Sequence, residues 1–327
     1  CDLEGEIRAR LDGGNEIDVV AFTHLDTDHC KRASEVFWLN HAEKYQDDDR
    51  IKIKTMWVPA TAILEEGVKG QARTLRSEAR HRFIEGEGIR VFGRPDALND
   101  FLKERGIDPA KRRNLISDAG TLAPEFNLAA DGIEFFVLSP FAEHCEDDTY
   151  KRNDTAIFMQ ATFDERLTRL LLSADVGHEV IDDIIRITRK KKNDDRLIWD
   201  INNVPHHTSY LSLAAEKGKD ETEPGERIAW LYEDQGTKGA LLVSTSCPIP
   251  GNDDSDQPPH RQAANYYKRV AKGHDGEFLV TMDHPSSTKP KPLEIEIGKK
   301  GFSVTKSAGG SAALLTGAAP RAGRGGR

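Results

Sequence analysis

Cysteine is scarce in this chain: four in 327 residues, at positions 1, 30, 145 and 247, with no CxxC pair among them. That spacing excludes a zinc ribbon built on cysteine pairs. Scattered single thiols suit a reducing compartment, so a cytoplasmic location is expected. Long apolar runs are also missing, which excludes a helical membrane span and a membrane partner of that kind. The opening stretch is polar and begins at Cys1 rather than Met, so it carries no secretory signal and reads as the start of a trimmed piece. Positive charge is in deficit: the net formal charge is −9. This argues against a broad, non-specific nucleic-acid surface but leaves room for a local basic groove. Candidates for such a groove are Arg73 to Arg82, Lys111 to Arg113 and Arg189 to Lys192, each of which reads first as a solvated helix face. No internal repeat is visible.

What remains is a polar globular composition, 37% apolar and 31% charged. Short β-like runs alternate with helical stretches, the pattern of an α/β fold. Val19 to Phe22 reads as a buried strand. Residues 30–45 read as an amphipathic helix on the stripe Ala33, Val36, Phe37 and Leu39. Thr55 to Val58 is the next strand, closed by Pro59. Residues 61–131, rich in Arg, Glu and Gly, read as a helical insertion or lid that offers a surface to a protein partner. Further strands are expected at 133–138, 155–162, 167–172, 197–201, 240–245 and 278–282, with a hairpin over 293–306 turning at Gly298 to Gly301. Helices are expected at 177–189 and 259–270. A single folded domain is therefore drawn as 1–306, and the Gly/Ala/Arg-rich 307–327 as a disordered tail.

Chemistry concentrates at one place. His24, Asp26, Asp28 and His29 follow directly on the first apolar strand. Strand ends are where α/β proteins place their sites. Imidazole and carboxylate are the usual ligands of Zn, Mn and Fe. The competing reading is a capping turn, with Asp28 as the N-cap of the following helix.

Thr23-His-Leu-Asp-Thr-Asp-His29 resembles the HxHxDH motif of metallo-β-lactamase-fold hydrolases, with Asp26 in place of the second His. That variant is most similar to the hydrolase domain of the bacterial competence DNA-uptake channel family. Later segments match in the same order: Asn153 to Ile157, Leu171 to Asp175, Asn203-Val-Pro-His-His-Thr-Ser209, and Val243 to His260. The resemblance implies a four-layer αββα sandwich whose first strands are truncated here. It implies one or two divalent ions, Zn or Mn. His24 and Asp26 would hold the first, Asp28 and His29 the second. Asp175 would bridge them and His207 would complete the second metal's set of ligands. His206 and His260 would face the substrate, and Asp28 would also serve catalysis. His206 and His207 are interchangeable in these roles at this level of reading.

Three departures follow. Asp26 hardens the first site toward Mn. The third-motif ligand is not obvious; His144 stands where it is expected, and a surface-loop His is an equal reading. Thr208 stands where the family has Gly. Asp200, just upstream of the His pair, reads either as a turn residue or as an orienter of one imidazole. The implied activity is metal-dependent hydrolysis of a phosphodiester or small ester, with nucleic acid among the candidate substrates. The alternative is a degenerate module of the same fold that binds or regulates without catalysis.

Overall fold

The computed structural model describes residues 3–146, 152–164, 167–253 and 255–305. The 307–327 tail and Cys1 lie outside the described residues. The chain divides into two compact units. The first comprises 1–123, 136–159 and 174–176; the second comprises 124–135, 160–173 and 177–327. The architecture is mixed α/β, with strands β1 (Glu16–Ala21), β2 (Lys52–Pro59), β3 (Ile89–Phe92), β4 (Ile116–Ser117), β5 (Ile133–Ser139), β6 (Phe158–Phe163), β7 (Arg169–Leu172), β8 (Trp199–Val204), β9 (Gly236–Ser244), β10 (Glu277–Val280), β11 (Ile295–Gly298) and β12 (Gly301–Val304). The helices are α1 (Leu3–Arg10), α2 (Thr27–Cys30), α3 (Ala33–Val36), α4 (Thr61–Leu64), α5 (Gly70–Glu85), α6 (Asp96–Lys103), α7 (Leu128–Asp131), α8 (Ala142–Glu146), α9 (His178–Lys190), α10 (Glu226–Glu233) and α11 (Arg261–Gly273). Among the described residues no helix is long and apolar enough to cross a membrane.

In the first unit, a parallel sheet runs in the order β1-β2-β3-β4. β2 is central, and its Met56, Trp57 and Val58 are almost wholly buried. α5 lays Leu75, Ala79 and Phe83 into the same core. Two expectations are corrected here. The 61–131 stretch is not helical throughout: it contributes β3 and β4 to the sheet. Ile89, Arg90, Val91 and Phe92 are all buried, as a strand covered on both faces requires. The single helix expected over 30–45 is instead two short turns, α2 and α3, separated by Arg32 at a left-handed φ of 62°. The expected apolar stripe is buried, but Phe37 bridges to Ile51 in extended backbone instead of continuing a helix.

The six-stranded sheet, order β10-β9-β8-β7-β6-β5, dominates the second unit. The β7-β8-β9-β10 pairings are parallel. Leu241 and Val243 share one face of β9 by the two-residue strand period and pack with Ile201 against Phe302 and Val304 of the β11-β12 hairpin. α9 turns Val180, Ile181, Ile184 and Ile185 inward at helical spacing, with Arg189 and Lys190 in its last turn, where they complement the helix dipole. The hairpin turns where the sequence places it, at 298–301.

Candidate metal centre

β1 delivers the motif. Its parallel partner β2 holds it in register through Ala21 opposite Trp57, and Phe22 N–H still donates to the Trp57 carbonyl. The chain then leaves the sheet. Thr23 accepts at its carbonyl from Ile157 N–H, and His24 and Leu25 are buried. Asp26 is the N-cap of α2, with no side-chain capping bond, while Asp28 lies inside the helix. The capping role weighed for Asp28 is therefore not what the fold uses. A single turn of helix carries Asp28 and His29 round to the same side.

Asp175 arrives from far along the chain, two residues beyond the buried Ser173 and after Ala174 at a left-handed φ of 46°. A non-glycine residue held there is strained, and such strain gathers at functional sites. Asp175 is nearly buried, and its Oδ1 lies 3.2 Å from His29 Nε2. His29 Nε2 is also 3.7 Å from Asp28 Oδ2. The ligand atoms of Asp28, His29 and Asp175 all fall within 4.8 Å of one another, close enough to hold one metal ion. Carboxylate oxygen and imidazole nitrogen atoms are the donors that divalent Zn and Mn take, so the donor set fits a divalent cation.

His24 lies beside this group, its ring centroid 4.1 Å from that of His29. Its Nδ1 meets the Thr23 hydroxyl at 3.1 Å, while its buried Nε2 has no hydrogen-bond partner and stands 3.7 Å from Asp26 Oδ2. Burial, then the neighbouring His29, lower the His24 pKa to about 4 against the pull of Asp175, Asp26 and Asp28. The ring is thus neutral at physiological pH, the form that ligates metal. Asp26 is engaged elsewhere: its Oδ1 takes a hydrogen bond from Arg152 Nη1. His144 sits on α8, buried against Phe141, and is not among the residues whose ligand atoms group together in the described structure. A cleft of about 610 Å³ runs along β1 and α1 and is lined by Val20, Phe22, Asp28 and His29.

The second unit carries the histidine pair. β8 ends at Val204, and Pro205 opens a tight turn. His206, His207 and Thr208 then follow with φ of 48°, 51° and 69°. Three successive non-glycine residues in the left-handed region cost on the order of 1–2 kcal/mol each. Thr208, where the motif resemblance led to an expected Gly, takes the left-handed turn itself. Its hydroxyl meets that of Ser244, which is 2.7 Å from that of Ser246, and its carbonyl accepts from His260 N–H. His207 Nδ1 is 2.8 Å from the Thr245 carbonyl. A carbonyl partner fixes the proton on Nδ1 and leaves the lone pair on Nε2, the state a ligating imidazole needs. His260 Nδ1 accepts from Tyr210 N–H, which puts the ring proton on Nε2. Burial, helped by the charges of Lys217 and His206, lowers its pKa. Asp200 does not orient a histidine: it accepts from Arg169 and from the Thr237 hydroxyl.

Arg152 and Glu65 were not expected at the centre. No motif marks them; Arg152 lies 126 positions from Asp26 and 87 from Glu65 in sequence, so only the fold reveals their pairing. Compared with known proteins, the chain matches no family model and no curated relative.

Proposed function

We propose that this chain is a metal-dependent hydrolase with the αββα architecture of the metallo-β-lactamase-like enzymes, opening a compact phosphodiester or related ester. The observation that carries this reading is the convergence of Asp28, His29 and Asp175 beside a neutral, buried His24. Two carboxylates and an imidazole suit Mn as well as Zn. His207, with its tautomer set by Thr245, is the expected additional ligand on the strength of the motif resemblance. A divalent ion on these residues supplies Lewis acidity, acidifying an attacking water and neutralising charge on the scissile group.

The chain's own residues supply the rest. Asp28, exposed over 62% of its side chain, is open to solvent on the cleft and can take a proton from the attacking water. His206 and His260 are the donors to the leaving oxygen. The pairing of several members of the basic runs weighs against a long nucleic-acid track. Arg76 and Arg80 pair with Glu66, Arg82 with Glu78, and Arg189 with Asp194 while stacking over Trp230. A compact ester is therefore the substrate class proposed.

Elemental analysis of the purified chain, beside an Asp28→Ala/His29→Ala variant, tests the reading. The parent is expected to hold Mn or Zn and to hydrolyse bis(4-nitrophenyl) phosphate, with the rate falling at least roughly a hundredfold in the variant. Absence of metal from both proteins after reconstitution would overturn it. Metal without hydrolysis of any ester probe would leave a binding module in its place.

A further inference from the structure

Asp26 occupies the position at which a two-metal site would need its second first-metal ligand, yet its carboxylate is already committed. We infer that Arg152 takes the place of that metal, so that this chain binds one divalent ion, on the Asp28/His29/Asp175 side, and not two. The inference rests on the metal-site reading above and concerns only its stoichiometry.

The guanidinium is fixed from three directions. Arg152 Nη1 donates to Asp26 Oδ1 and, at 3.2 Å, to the Leu25 carbonyl. Its Nε donates to Glu65 Oε2 at 2.9 Å and its Nη2 to Glu65 Oε1, a bidentate clasp. Such paired, charge-assisted contacts are the strong class of hydrogen bond and fix geometry as well as charge. The turn that presents Arg152 is itself anchored, since Thr155 Oγ1 donates to the Arg152 carbonyl and lies 2.8 Å from Thr61 Oγ1. Arg152 is thus placed by the fold rather than swung in from solvent.

The consequence for the ions is electrostatic. A guanidinium on Asp26 Oδ1 neutralises that carboxylate and sets a positive charge beside the space that Asp26 Oδ2 and His24 Nε2 border. A dication placed there loses one anionic ligand and meets a like charge. On the other side of His29, Asp28 and Asp175 keep their carboxylates directed at a shared point. The two halves of the motif are therefore inequivalent: one is neutralised by arginine, the other groups two carboxylates and an imidazole within reach of one ion. Asp26 is the donor that removal of Arg152 would release, beside His24 Nε2.

Titration calorimetry with Mn²⁺ on the full chain, with elemental analysis as a second count, decides the matter. The parent is expected to take one equivalent. Arg152→Gln is expected to take a second, at least roughly tenfold tighter than any second binding in the parent. Asp26→Asn leaves Asp28, His29 and Asp175 in place and is expected to keep one equivalent, which holds the test open if the arginine variant fails to fold. Two equivalents in the parent, or a fall from two to one in Asp26→Asn, would overturn the inference while sparing the metal reading. A folded Arg152→Gln that still takes one would overturn the role given to Arg152. No metal in the parent would overturn both.

Discussion

Glu78 offers the sharpest quantitative test of how the first unit is held together. It stands on α5 with a fully buried side chain and accepts from Arg82 Nε, and from both the backbone N–H and ring Nδ1 of His41 at 2.9 Å. Arg82, itself only 3% exposed, donates from Nη1 to the carbonyls of Ile53 and Gly88. Burial alone would raise the Glu78 pKa, but the hydrogen bonds from His41 and Arg82 outweigh it and hold the carboxyl at about 2 instead of 4.5. A depressed carboxylate stabilises the fold above its unfolded pKa, and that stability is lost as pH falls through the folded value. The shift corresponds to roughly 3 kcal/mol. Glu78→Gln keeps the shape but strands the Arg82 charge, and breaking one side of a buried pair costs about 3–5 kcal/mol. Urea unfolding followed by circular dichroism should show that loss at pH 7. The gap between parent and variant should narrow by roughly 2 kcal/mol at pH 3, because the parent has by then lost most of the ionised-state advantage. A gap under about 1 kcal/mol at pH 7, or one that does not change with pH, would refute the assignment. α5 packs against α2, so the variant also reports on the support beneath Asp28 and His29.

Two further outcomes follow from the second unit. His206→Gly relieves a left-handed residue and is expected to raise stability by about 1 kcal/mol in thermal unfolding while lowering ester hydrolysis by roughly a hundredfold; equal activity would remove His206 from the reaction. Ile184→Ala empties a fully buried position on α9 and is expected to cost about 2–5 kcal/mol without altering metal stoichiometry, a change in which would tie α9 to the centre.

The legible parts of the sequence were those where local pattern and final environment agree. Val19 to Phe22 announces β1 because an apolar run meets a polar boundary, and α9 announces itself because its four buried apolar residues recur at helical spacing. The ligand cluster was legible for a related reason: Asp28 and His29 share one turn, so their proximity is already local. β3 was hidden because Arg90 interrupts a four-residue apolar run, and only the fold brings the Asn114 carbonyl to that arginine. The helix drawn over 30–45 failed because its apolar stripe is satisfied equally well by extended backbone crossing to Ile51. Arg152 could not be found at all, since ion pairing between distant residues leaves no periodic trace.

The route of the chain gives one last consequence. The first unit is assembled from three separate stretches, and Asp175 belongs to the last of them while Asp28 and His29 belong to the first. An ion shared by these residues would tie two far-apart points of one polypeptide, as a cross-link does. Closing so long a loop removes many conformations from the unfolded chain. Chelation would then act on this protein as reduction acts on one held by a disulfide.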